Sequence, residues 1–68
     1  MKKYYVNKNA QPNGDHEVHD EDCRYLPLVA NRIYLGEFSS CYGAVTASKQ
    51  YYSTTNGCRT CSILCHTS

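Results

Sequence analysis

The sequence predicts a small α+β domain, in which a three-stranded antiparallel sheet and one main helix are clipped together by a structural zinc ion. The chain has 68 residues, no Trp and one Phe, and so short a chain commonly needs a metal or a disulfide to stabilise its core. Segments with strand composition precede a segment with helical periodicity. Four metal-ligating side chains also fall into two closely spaced pairs, H-x₃-C and C-x₂-C.

Two strands are predicted at the start of the chain, at Lys3–Asn7 (KYYVN) and His16–His19 (HEVH). Both contain the β-branched or aromatic residues that strands favour. The stretch between them is turn material, because Pro12 cannot donate to a sheet and Asn13-Gly14 is a strong turn dipeptide. The two strands are therefore expected to form a β-hairpin that delivers the first ligand pair.

A third strand is predicted at Arg32–Phe38 (RIYLGEF). Gly36 within it either weakens the strand or marks a β-bulge. The preceding segment, Arg24–Asn31, holds apolar side chains around Pro27. A proline at that point favours an irregular or short helical connection.

The main helix is predicted at Cys41–Tyr52, where apolar residues recur at helical spacing. Ser39 or Ser40 is suited to the N-cap, since its hydroxyl can accept from an otherwise unpaired N–H of the first turn. The segment Ser53–Gly57 is expected to end the helix. Gly57 can adopt a positive φ immediately before the C-x₂-C pair.

The length predicts a single domain over residues 1–68, with its core in residues 2–62 and a flexible tail at 63–68. Seven Lys and Arg oppose six Asp and Glu, a net charge of +1 that gives no electrostatic case for nucleic acid or anionic lipid. No apolar segment follows the N-terminal lysines, and none is long enough to cross a membrane. We therefore expect a cytoplasmic protein. We also expect the protein to be a monomer.

His19 and Cys23 form the H-x₃-C pair, and Cys58 and Cys61 form the C-x₂-C pair. Structural zinc ions are bound by thiolate sulfur and imidazole nitrogen. Four protein side chains fill the coordination shell of such a site. The odd number of cysteines, five, and the lack of an export signal favour metal over disulfides. Arg59, between the two C-x₂-C cysteines, adds positive charge that favours thiolates.

Other cysteine and histidine residues leave alternatives open. Cys65 or His66 is close enough in sequence to Cys61 to replace His19 as a ligand. Cys41 lies at the predicted helix N-terminus, where the peptide dipoles lower a thiol pKa. Cys41 is interpreted as a small buried core residue. Alternatively, Cys41 or Cys65 is the reactive thiol of a redox sensor or enzyme.

The acidic stretch Asp15–Asp22 (DHEVHDED) is interpreted as a solvated loop rather than a second cation site or an acid–base centre. One of its carboxylates is well placed in sequence to accept the spare N–H of His19. The seven tyrosines are expected to form the core and its rim in place of Trp and Phe, of which the chain has few. The alternative is a stacking surface for nucleic acid or a peptide.

The motif pattern resembles the Ada-like metal-binding domain, including the small zinc modules appended to some bacterial nucleases. In that family a strand leads to H-x₃-C-R-Y, then to F-S-S before a helix with an inner Ala, then to a Gly shortly before C-x₂-C. The resemblance covers approximately residues 3–62, although the segment after Cys23 differs and the usual Pro before the second pair is missing. The matching residues are His19, Cys23, Arg24, Tyr25, Phe38, Ser39, Ser40, Ala44, Gly57, Cys58 and Cys61.

This resemblance implies Zn²⁺ bound by His19, Cys23, Cys58 and Cys61 in a compact α+β fold. The DNA-repair member of the family has four Cys ligands and uses one as a methyl acceptor; His19 stands in one of those places here, so methyl transfer is not implied. The sequence thus favours a bacterial, cytoplasmic zinc module that binds an unknown protein or nucleic-acid partner and is not an enzyme. A nucleic-acid role follows by analogy with the family alone.

Overall fold

Three short β-strands precede one short α-helix, and a fourth strand follows it. The structure is a computed structural model that describes residues 1–67. The described residues also form two 3₁₀ turns, one before the third strand at Val29–Asn31 and one after the last strand at Ile63–Cys65. The regular elements are β1 (Lys2–Asn7), β2 (His16–Asp20), β3 (Arg32–Phe38), α1 (Cys41–Ser48) and β4 (Thr55–Gly57).

The four strands form one mixed sheet in the order β3-β1-β2-β4. β1 pairs antiparallel with both β2 and β3, whereas β4 pairs parallel with β2. The predicted α+β class and the single α-helix are thus confirmed for the described residues, but the three-stranded antiparallel sheet is wrong in strand number and direction. The fourth strand, Thr-Asn-Gly, is too short and too polar to show a strand pattern in the sequence.

The β1–β2 hairpin turns at the predicted Asn-Gly dipeptide. Gly14 has φ +92°, which a residue with a Cβ rarely adopts. Its N–H donates to the carbonyl of Gln11 at 2.8 Å. The side-chain oxygen of Asn13 accepts from the N–H of Asp15 at 2.9 Å, an Asx turn that fixes the start of β2.

Gly36 marks a β-bulge in β3, which confirms one of the two predicted roles of this glycine. Tyr4 pairs with Gly36 and Tyr5 pairs with Tyr34, so Leu35 is the additional residue on β3. Gly36 has φ +124°, and a glycine at positive φ is the usual residue at such a bulge.

The helix packs against all four strands of the sheet and ends earlier than predicted, at Ser48 rather than Tyr52. Ser48 is fully buried and its hydroxyl donates to the carbonyl of Val45 at 2.6 Å. The chain then turns, and the Tyr52 ring stacks on the His16 ring at 3.6 Å. At the other end Ser40 occupies the N-cap position without a side-chain capping bond.

The core is small. Its buried apolar members are Tyr4, Val6, Val18, Ala44 and two cysteines, with a few partly buried neighbours. The largest fully buried apolar side chains are valines. Since hydrophobic stabilisation scales with the apolar area removed from water, this domain depends on additional links.

One such link is a disulfide between Cys41, the first residue of α1, and Cys65. It corrects the interpretation of Cys41 as a free thiol, since this sulfur is bonded. The disulfide also bears on the flexible tail predicted at residues 63–68. Within the described part of that stretch, Ile63–Cys65 forms a 3₁₀ turn and Cys65 is buried, while Ser68 lies outside the described residues.

Gly57 is required for close packing and not for its φ angle, because it lies outside the positive-φ region. A Cβ built on it would lie 2.7 Å from the Cβ of Cys65 and 2.8 Å from the carbonyl oxygen of Ser62. The neighbouring atoms belong to backbone and to a disulfide-bonded residue, so they have little freedom to move away.

We therefore expect Gly57→Ala to lower the free energy of unfolding by about 1–3 kcal/mol. Urea denaturation of the metal-saturated protein measures this change. Ser53→Ala, on the exposed surface four residues earlier, is the matched control and should stay within about 0.5 kcal/mol of the wild type. Equal stability of the two variants would contradict the packing role of Gly57.

Candidate metal centre

The parallel pairing of β2 and β4 brings the two ligand pairs together. His19 lies near the end of β2, and Cys23 lies in the turn that follows, where its N–H donates to the carbonyl of Asp20 at 3.2 Å. Cys58 comes directly after β4, and its N–H donates to the carbonyl of Val18 at 3.0 Å. Because neighbouring parallel strands end at the same edge of a sheet, both pairs reach one place.

The four ligand atoms of His19, Cys23, Cys58 and Cys61 lie within 4.8 Å of one another. The sulfurs of Cys23 and Cys58 are 3.9 Å apart, and the sulfur of Cys61 is 3.9 Å from His19 Nδ1. A tetrahedral site with metal–sulfur bonds of about 2.3 Å has ligand atoms about 3.8 Å apart. These residues lie close enough to bind one metal ion.

The turns after Cys23 and after Cys58 direct backbone N–H groups at the sulfur of each. The N–H of Tyr25 donates to the Cys23 sulfur at 3.4 Å, and the N–H of Thr60 donates to the Cys58 sulfur at 3.4 Å. Each donor is two residues beyond its acceptor. The Tyr25 donor favours the thiolate of Cys23, and the thiolate is the form that binds metal.

The cluster is shielded from water. His19 is 1% exposed and Cys58 is 3% exposed, whereas Cys23 retains 9% and Cys61 is partly accessible. His19 is therefore a buried imidazole and not a solvated residue at the end of a strand. An ion bound by all four residues would have a closed shell.

Burial shifts the pKa of several of these groups toward their uncharged forms. It raises the pKa of Cys23, and it raises that of Cys61 to about 12, although the Asp20 N–H partly opposes the latter shift. Burial also lowers the pKa of His19, with partial opposition from the Asp20 charge. Without a cation these groups are neutral at pH 7, so a metal ion must displace protons from the thiols.

The acidic stretch of the sequence is distributed over several separate interactions. Asp20 and Asp22 lie 3.5 and 3.3 Å from the Lys2 ammonium. The Glu21 carboxylate accepts the backbone N–H of Lys3 at 2.8 Å. Glu17 lies 3.6 Å from Nε2 of His19, and it is the member of the stretch that faces the cluster.

The disulfide removes Cys65 as a replacement ligand, because its sulfur is bonded to that of Cys41. His66 turns to another partner, with Nδ1 3.0 Å from the carbonyl oxygen of Gly57. This disulfide was not predicted, because the odd total of five cysteines favoured metal binding over pairing. Once three of them are assigned to a metal site, the two that remain are an even number and can pair.

No protein-family model matches the chain, and no curated protein or solved structure resembles it significantly. The resemblance to the Ada-like domain therefore stays a prediction. No helix in the described part of the chain has the length and apolar character needed to cross a bilayer.

The two classes of cysteine predict a definite thiol count. Protein isolated without reductant, unfolded and stripped of metal by a chelator, should react with iodoacetamide at Cys23, Cys58 and Cys61 and not at Cys41 or Cys65. Peptide mass mapping measures this directly. The same sample after reduction is the control and should be alkylated at all five positions. Labelling of Cys41 before reduction would contradict the assigned disulfide.

Proposed function

We propose that this chain is a small structural-zinc domain that acts as a binding or interaction module, with Zn²⁺ held by His19, Cys23, Cys58 and Cys61. The supporting observation is the convergence of one imidazole and three thiols, from two distant segments, within 4.8 Å. Cys₃His is a frequent ligand set of structural zinc sites. Hard cations such as Mg²⁺ and Ca²⁺ prefer oxygen ligands instead.

The proposed ion has a structural rather than a catalytic role. A catalytic zinc keeps one coordination position for water or substrate, whereas four protein ligands leave none. The ion's contribution is to hold the ends of β2 and β4 together, beside a core whose largest fully buried apolar residues are valines. Metal binding should therefore be coupled to folding, as it is in other small zinc domains.

A protein partner is favoured over nucleic acid by the state of the basic residues. Lys2 lies beside two aspartates, the Arg32 guanidinium is 4.5 Å from the centre of the Tyr5 ring, and Arg24 lies over Tyr25. These three of the seven basic residues are engaged within the chain, which weakens a phosphate-binding footprint. Several large apolar side chains are instead at least half exposed, namely Tyr25, Leu28, Val29, Tyr34, Tyr42, Tyr51, Ile63 and Leu64.

The cytoplasmic location and the monomeric state stay predictions. The Cys41–Cys65 bond weighs against the cytoplasm, because disulfides persist in oxidising compartments and are rare in the cytosol. The same bond means that a thiol enzyme using Cys41 or Cys65 would need that disulfide to be reduced first.

The purified protein should contain one zinc ion per chain and should lose most of its structure when a chelator removes the ion. Elemental analysis and circular dichroism with excess EDTA measure these two properties. Cys58→Ser should bind far less zinc and should resemble the EDTA-treated protein. Thr60→Ala, an exposed change within the same turn that keeps every ligand, is the matched control and should behave like the wild type.

A protein that is folded, free of metal and indifferent to EDTA would exclude the proposed role of zinc. Equal tolerance of Cys58→Ser and Thr60→Ala would exclude the assignment of Cys58 as a ligand.

A further inference from the structure

We propose that Glu17 is a positioning residue of the metal centre, which accepts the Nε2–H of His19 and thereby selects Nδ1 as the atom that binds the ion. This inference rests on the proposed function, since it concerns how the zinc ligand is oriented. Glu17 does not touch the ion and would not count as a ligand.

The two nitrogens of His19 face different groups. Nδ1 is 3.9 Å from the Cys61 sulfur, on the side of the four-residue cluster. Nε2 is 3.6 Å from the Glu17 carboxylate. The orientation of the ring thus points to coordination through Nδ1, which leaves Nε2 to carry the proton.

Nε2 is a buried polar atom in need of a partner. It has no hydrogen bond among residues 1–67, and the His19 side chain is 1% exposed, so water cannot supply one. Buried polar atoms left in this state are uncommon in folded proteins. When a metal withdraws electron density from the ring, the N–H opposite becomes a stronger donor and a carboxylate becomes its natural acceptor.

Glu17 is well placed to be that acceptor. It is two residues before His19 on β2, and residues at this spacing project from the same face of a strand. Its side chain is 19% exposed, so it is largely withdrawn from solvent. A hydrogen bond of about 2.9 Å would require a movement of about 0.7 Å from the observed separation.

Asp20, the other carboxylate that acts on His19, is already engaged. One of its oxygens accepts the N–H of Asp22 at 2.9 Å, and the other faces Lys2 at 3.5 Å. The Glu17 carboxylate has no partner among the described residues other than His19. The geometry therefore distinguishes between the two carboxylates and selects Glu17.

The first test is the zinc affinity of Glu17 variants, measured by competition with a chromophoric chelator. Glu17→Ala should weaken zinc binding by about 10- to 100-fold, the usual effect of removing such a partner from a metal-bound histidine. Glu17→Gln should lose less, because its amide oxygen can still accept the N–H. Glu37→Ala, an exposed glutamate on β3, is the matched control and should leave the affinity unchanged.

The second test reports the tautomer and does not require a variant to fold. Two-dimensional ¹⁵N–¹H correlation of the His19 ring in the zinc-loaded wild type should show a metal-bound Nδ1 and a protonated Nε2. A metal-bound Nε2 would overturn the proposal, and so would equal zinc affinities of Glu17→Ala and Glu37→Ala. If the wild type binds no zinc, the proposed function fails; if it binds zinc and either contrary result is found, only the role of Glu17 fails.

Discussion

The parallel pairing of β2 with β4 is the constraint on which the rest of this structure depends. This pairing is short and consists of three residue pairs, from His16–Thr55 to Val18–Gly57. Because the two strands run in the same direction, the residues that follow them emerge at the same edge of the sheet. Two sequence segments separated by more than thirty positions thereby place their imidazole and thiol groups around one point.

The five cysteines fall into two groups, a candidate metal cluster and a disulfide. Cys23, Cys58 and Cys61 lie with His19 in a shielded cluster, while Cys41 is joined to Cys65 at the start of the helix. Gly57 lies against both features, because it precedes Cys58 and its α-carbon approaches Cys65 closely. A chain with so few large buried apolar side chains thus relies on one covalent link and, in our proposal, one ion. The two links restrain different parts of the chain: the disulfide holds α1 to the C-terminal turn, and the ion holds β2 to β4.

The sequence predicted the features that local chemistry determines. The hairpin turn at Asn13-Gly14, strand β3 and the start of the helix at Cys41 all follow from residue preferences, and the bulge at Gly36 is one of the two roles predicted for that glycine. The four candidate ligands were found from their spacing alone. In each case the signal lies within a few consecutive residues.

The features that could not be predicted from the sequence depend on contacts between distant residues. Strand β4 is Thr-Asn-Gly and is a strand only because β2 lies beside it. The helix ends at Ser48, and Tyr52, beyond that end, stacks on His16 of β2, a contact that helical periodicity in the sequence does not reveal. The Cys41–Cys65 disulfide likewise joins residues 24 positions apart, and connectivity of this kind cannot be deduced from spacing.

The central claim is that three sulfurs and one imidazole nitrogen surround a single ion. X-ray absorption at the zinc K edge of the purified protein tests it most directly. We expect three sulfur neighbours at about 2.3 Å and one nitrogen neighbour at about 2.0 Å. A zinc shell made mainly of oxygen and nitrogen neighbours, or one with fewer than three sulfurs, would contradict the account.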